Sequence, residues 1–154
     1  MTDFLKVFVY GTLKKGFPNH ARHMRQARRL GTFRTRERYR LILNGDRYSP
    51  CMMTGSGQGR HVVGEVYAVD QAGLDTMDHL ERIDRTDGYR RHRITVDCVD
   101  ETQSDPQQVF VYLKAPEWVD DPRSEPLEDY TPELGRRYQS RPAMRLMGET
   151  EDDK

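Results

Sequence analysis

The chain has 154 residues, the size of one domain, and its 25 Lys+Arg balance 25 Asp+Glu, so no net field argues for a nucleic acid or an anionic membrane as partner. Two cysteines, Cys51 and Cys98, are too few and too far apart for a disulfide framework or a structural zinc site, and both read as reduced thiols, Cys98 as a core side chain. The opening MTDFLKVFVYGTL has no basic-then-apolar leader and no apolar run approaches the roughly 20 residues that span a bilayer, which predicts a cytoplasmic protein.

Residues 5–10 (LKVFVY) are apolar, β-branched or aromatic apart from Lys6, the pattern of a strand buried on both faces. Gly11 breaks it. A glycine at that point lets the backbone turn sharply and a ligand approach its N–H groups, and Thr12 and Leu13 continue the row of donors, a geometry that favours an anion. After the turn at residues 16–19, Met24, Ala27 and Leu30 stand at helical spacing among arginines and histidines, which predicts a short surface helix from His20 to Leu30 ending at Gly31. His20 and His23 lie one turn apart, but no third His or Cys is near, so no metal is assigned.

Phe33 to Leu43 reads as one strand, with Tyr39, Leu41 and Leu43 alternating against Arg38, Arg40 and Ile42, closed by the Asn44-Gly45-Asp46 turn. Residues 48–53 follow as a pocket-side or edge segment. The GSGQG stretch at 55–59 matches the spacing of neither glycine-rich phosphate motif, and a strand rather than a helix follows it. That strand is HVVGEVYAV at 61–69, and Asp70 stands where it caps the next helix, expected to run to about residue 85. Leu74, Met77 and Glu81 are spaced i, i+3 and i+7, so Glu81 lies about 20° from Leu74, on the apolar stripe. Periodicity leaves two placements open. Either the carboxylate points inward, or it leans out in the last turn and pairs with Arg82 or Arg85.

Asp87-Gly88 turns the chain, and Tyr89 opens a strand in which Ile94, Val96 and Cys98 alternate with Arg93, Thr95 and Asp97. Residues 100–108 form a polar loop, and VFVYL at 109–113 is the last strand. Beyond residue 115 the chain is rich in proline and charge and has no sustained periodicity, which predicts an irregular arm to about residue 142 and a loose charged tail at 143–154.

Several of these segments resemble one family. VFVYGTLKKGFPNH is similar to the N-terminal signature of the γ-glutamyl cyclotransferase-like (AIG2-like) family, most closely its γ-glutamylamine cyclotransferase branch. TGSGQGRHVVGEVYAVD resembles the strand those proteins carry before their key helix, LDTMDHLERID that helix, and GRRYQSRP, more loosely, their C-terminal end. Two motifs in the right order, VFVYGTL and GEVYAVD…LE, carry the likeness over roughly residues 7–113.

From the residues alone, about five strands and two short helices in irregular order argue α+β. The resemblance implies a small mixed β-barrel with short helices packed outside and a pocket at one end. It also implies a reaction: the α-amine of a γ-glutamyl amine attacks its own γ-carbonyl, giving 5-oxoproline and free amine without a cofactor. It places the catalytic role on Glu81 and substrate contacts on Tyr10, Gly11, Thr12, Leu13 and Tyr89, with a small γ-glutamyl molecule as the only partner. Alternatives within the same fold are action on γ-glutamyl amino acids or peptides, or non-catalytic binding of such a molecule. An alternative of another class is a protein-interaction module using the arginine-rich segment and the acidic tail.

Overall fold

The computed structural model describes residues 5–17, 20, 24, 27–81, 88–100 and 105–138. Strands β1 (Leu5–Val9), β2 (Arg28–Thr35), β3 (Leu41–Asn44), β4 (Ser49–Met52) and β5 (Val63–Val69) precede helix α1 (Gln71–Leu80). Strands β6 (Arg90–Cys98) and β7 (Gln107–Leu113), a 3-10 turn (Pro116–Trp118) and the single-turn helix α2 (Pro132–Gly135) complete the order. Five strands close into a barrel in the order β1-β5-β2-β6-β7, while β3 and β4 form a separate hairpin. Every barrel pairing is antiparallel except the closing one, where β1 meets β7 in parallel with Val7 opposite Phe110. Closure removes the unpaired edges that five strands would otherwise expose.

β1 is buried on both faces, and its alternation explains the barrel's two cores. Phe8 joins Phe33, Val66, Ile94, Val96, Val109 and Val111, a cluster that draws a side chain from each barrel strand. Val7 and Val9 point the other way, into a cluster with Tyr67, Val69 and the apolar stripe of α1. That stripe is Leu74, Met77 and Leu80, each at most 4% exposed, so the helix docks through three side chains worth about 1.5–3 kcal/mol apiece. Asp70 caps it, its carboxylate accepting from the Gly73 N–H at 2.8 Å.

Three expectations are corrected by the structure. Residues 28–30 are not helical but open β2, which pairs with β5 from Arg28 opposite Ala68 to Arg34 opposite Val63, with a bulge between Arg29 and Gly31. The helical spacing of Met24, Ala27 and Leu30 yields there to a long-range ladder that barrel closure requires. Met24 N–H does donate to His20 C=O at 2.8 Å; residues 21–23 and 25–26 lie outside the described residues. Residues 33–43 are not one strand, because the Thr35 hydroxyl donates to Glu37 C=O at 2.7 Å and accepts from Val62 N–H at 2.8 Å, drawing the chain off β2. Ile42, assigned to the polar side of that strand, is buried in the cluster that holds Val7, Val9, Cys51 and Val119, and β3 also carries the C-terminal arm, Arg123 N–H donating to Leu43 C=O and Leu127 N–H to Leu41 C=O. The regular part of α1 ends at Leu80, with Glu81 as its C-cap, and residues 82–87 lie outside the described residues. Smaller shifts follow: β5 begins at Val63, β7 at Gln107, and Cys98 is only partly buried. Residues 143–154 lie outside the described residues. No described helix is long and apolar enough to cross a membrane.

Candidate active site at the end of the barrel

At the C-terminal end of β1 the chain leaves the barrel through Tyr10 and folds into a turn closed by Lys14 N–H donating to Gly11 C=O at 3.1 Å. A Cβ on residue 11 would lie 2.7 Å from Pro50 Cγ, so glycine is needed here because β4 presses against the turn. The room at Gly11 is therefore filled by protein. The turn is also held from behind. Lys14 is 6% exposed, and its ammonium donates to Asp129 Oδ1 and to Tyr130 C=O, both at 2.7 Å, while lying 4.9 Å from the Phe17 ring centre. His20 Nδ1 donates to Leu13 C=O at 2.9 Å, so the histidine weighed as a metal ligand serves the turn.

Glu81 arrives from the opposite side. Its N–H donates to Met77 C=O at 2.9 Å and its own carbonyl accepts from Tyr89 N–H at 3.1 Å, so helix end and β6 entry are tied together at this residue. The Tyr89 hydroxyl, fully buried, donates to Pro50 C=O at 3.0 Å and accepts from the Cys51 thiol at 3.2 Å. The Tyr10 hydroxyl donates to Tyr112 C=O at 2.7 Å.

These elements surround a pocket, and all six residues singled out in the sequence, Tyr10, Gly11, Thr12, Leu13, Glu81 and Tyr89, line it. Glu81 lines the pocket, while Arg82 and Arg85, its partners in the other placement, lie outside the described residues. Six further lining residues were not singled out: Phe8 and Val9, at the end of β1, and Ser49, Pro50, Tyr112 and Tyr138. Ser49 and Pro50 belong to the 48–53 segment suspected of facing a pocket; Tyr138 sits in the GRRYQSRP stretch, whose weak likeness was its only signal. Tyr112 had none, since in VFVYL it reads as one more core position.

Among the described lining residues Glu81 is the one acidic side chain. Burial pushes the Tyr10 and Tyr89 phenols well above their usual range, and the nearby Glu81 charge adds to both shifts. Tyr112 is raised as well, by burial first and then by its hydrogen bond to Asp78. At neutral pH the phenols are therefore fixed, protonated walls. No group of three or more metal-binding side chains occurs among the described residues.

The profile of the family described as "Gamma-glutamyl cyclotransferase, AIG2-like" matches residues 7–132. Gamma-glutamylaminecyclotransferase of Bos taurus is 40% identical over 145 residues, which are 88% of this chain and 82% of that protein. Gamma-glutamylaminecyclotransferase B of Danio rerio is 36% identical over 124 residues, 75% of this chain but 64% of that protein, so this match spans slightly under two thirds of its length. The crystal structure of an AIG2-like protein from Mus musculus superposes with a TM-score of 0.73 at 33% identity, over 90% of this chain and 97% of that one. With a profile match over most of its length and these relatives beside it, the chain belongs to the gamma-glutamyl cyclotransferase, AIG2-like family.

Proposed function

We propose that the protein is a γ-glutamylamine cyclotransferase, converting a γ-glutamyl amine to 5-oxoproline and free amine. The observation that carries this is the meeting of a single carboxylate, Glu81, with the turn at residues 11–13 in one narrow pocket. The names of the similar proteins from Bos taurus and Danio rerio support it.

The chemistry asks three things of the pocket. The substrate has to curl so that its α-amine reaches its own γ-carbonyl, and a confined cavity between turn and helix end favours that near-attack shape. As the C–N bond forms, the carbonyl becomes an oxyanion, for which the backbone N–H groups at residues 11–13 are the donors. The α-ammonium, with an ordinary pKa of about 8, must shed its protons while the leaving nitrogen gains them. Glu81 takes the two protons in turn from the attacking nitrogen and passes each to the departing one, which leaves as an ammonium, so the transfer balances and the carboxylate ends unchanged. Tyr89 holds the wall opposite through Pro50. The substrate supplies nucleophile and electrophile, so no cofactor enters.

The test is a panel of γ-glutamyl amines, γ-glutamyl amino acids, glutathione and α-glutamyl peptides, scored for 5-oxoproline by mass. Turnover of γ- but not α-linked compounds is expected, because only the γ-linkage closes a five-membered ring. Equal turnover of both would sink the proposal, and preference for γ-glutamyl amino acids would reassign the leaving group. The enzyme is expected to be cytoplasmic and to keep its activity when cut after Pro142; loss of activity on that cut would favour a role for the charged tail.

A further inference from the structure

Asp78 lies one turn before Glu81 on α1, and the reaction as written gives it no part. Its side chain is 17% exposed. Oδ1 accepts from the Tyr112 hydroxyl at 2.5 Å, and Oδ2 accepts from the Arg91 guanidinium. Tyr112 is on β7 and Arg91 on β6, so this carboxylate ties the helix to two barrel strands. Tyr112 also lines the pocket, and its carbonyl accepts from the Tyr10 hydroxyl. A continuous path of two hydrogen bonds and one tyrosine therefore joins the helix that carries Glu81 to the strand end that opens the turn.

Among the described residues, the rest of the helix's docking consists of Leu74, Met77 and Leu80 and of the Tyr89 N–H bond to Glu81 C=O at the helix end. Apolar burial is non-directional: it keeps a helix on a barrel while tolerating small slides and rotations. Hydrogen bonds weaken steeply with misalignment, and those to a charged acceptor are the stronger kind. The near-buried Tyr112–Asp78 contact, one turn upstream of the Tyr89–Glu81 backbone bond, thus adds a second directional tie to the register that apolar packing leaves soft. Glu81, at the helix end, amplifies any rotation upstream of it.

We propose that Asp78 is a positioning residue for the reaction: by holding Tyr112 and Arg91 it sets the rotation of α1 and hence where the Glu81 carboxylate stands relative to the turn at residues 11–13. This rests on Glu81 being the acid-base of the proposed reaction. With Tyr112 kept protonated by burial, the contact holds through the working pH range.

The experiment compares Asp78→Asn, Tyr112→Phe and the double variant with Glu81→Gln and with Ile94→Val, a change in the barrel core that does not line the pocket. All are assayed on γ-glutamyl amines well below their melting temperatures, and 5-oxoproline binding is titrated in parallel. Asp78→Asn and Tyr112→Phe are expected to lower kcat by about 10- to 100-fold, as small misplacements of a catalytic group do. Binding of 5-oxoproline should stay within about 2-fold, since the turn is untouched. The double variant should fall no further than the worse single by more than about 2-fold, because both remove one contact. Ile94→Val should melt lower with unchanged kcat, which separates positioning from general loosening. Normal kcat in Asp78→Asn or Tyr112→Phe, while Glu81→Gln is inactive, overturns the proposal alone. Normal kcat in Glu81→Gln overturns it together with the role of Glu81. If Asp78→Asn does not fold, Tyr112→Phe, which deletes one oxygen, decides the matter by itself.

Discussion

The two sides of the pocket are held in different ways. The turn after β1 is fixed several times over: Lys14 N–H closes it, the Lys14 ammonium ties it to Asp129 and Tyr130, His20 braces Leu13, and Pro50 presses on Gly11. Among the described residues, Glu81 stands at the end of one ten-residue helix docked by three apolar side chains, one aspartate and a single backbone bond from Tyr89 N–H. The proposed chemistry accounts for the asymmetry. Donors for an oxyanion act best when they cannot move, since reorganising dipoles as charge develops costs the stabilisation they supply. A carboxylate that serves two nitrogens in turn has to reach both.

Substitutions on either side should break the comparison unequally. Glu81→Gln has the largest expected effect: kcat falls by about 10²- to 10⁴-fold, while 5-oxoproline binding persists and the melting temperature holds or rises slightly, because a neutral amide is easier to bury. Turnover near normal in a folded Glu81→Gln enzyme would remove the acid-base role. On the other side, Lys14→Met keeps the apolar stem but strands the Tyr130 carbonyl and frees the half-exposed Asp129, at a cost of about 2–3 kcal/mol. Its kinetic signature should be a KM raised several-fold with kcat less affected, read from initial rates beside a urea titration.

Gly11→Ala should be milder, about 1–2 kcal/mol, as the Pro50 ring, 2.7 Å from the added methyl group, has to move aside. If this variant is as stable as its parent, the close approach of β4 is not a constraint. The smallest effect at neutral pH belongs to the phenols. Tyr10, Tyr89 and Tyr112 are raised by burial, and unfolded tyrosines ionise near pH 10. Their contribution is therefore complete below about pH 10 and declines above it, by about 1.4 kcal/mol per pH unit for each phenol held neutral. Urea midpoints between pH 8 and 11 should be flat and then fall; a rise above pH 10 would contradict the sign.

How legible each side was follows from the same difference. The turn is contiguous, and VFVYGTL announces strand, break and glycine within seven residues. Glu81 needed a helical period to aim it and a resemblance to choose between two placements. The opposite wall could not be read locally, because Pro50, Tyr112 and Tyr138 come from three distant segments and each looks like ordinary core or loop where it stands. Thr35 shows why β2 and β3 were merged. The alternation of Tyr39, Leu41 and Leu43 is genuine, but the bend that separates the strands is made by a hydroxyl bonding to residue 62, a partner no local pattern reveals. Likewise the arginines of early β2 face solvent and satisfy a helical period as readily as a ladder.

The barrel is sealed by its one parallel seam, Val7 against Phe110. More than a hundred residues separate those partners, and everything the pocket needs from β1 and α1 lies between them. A chain leaving the ribosome can pair β1 with β5 and cap α1 early, but Tyr10 has no Tyr112 carbonyl to bond until β7 emerges. Assembly of the pocket is thus coupled to near-completion of synthesis, so a growing chain carries most of the pocket's parts long before it can bring them together.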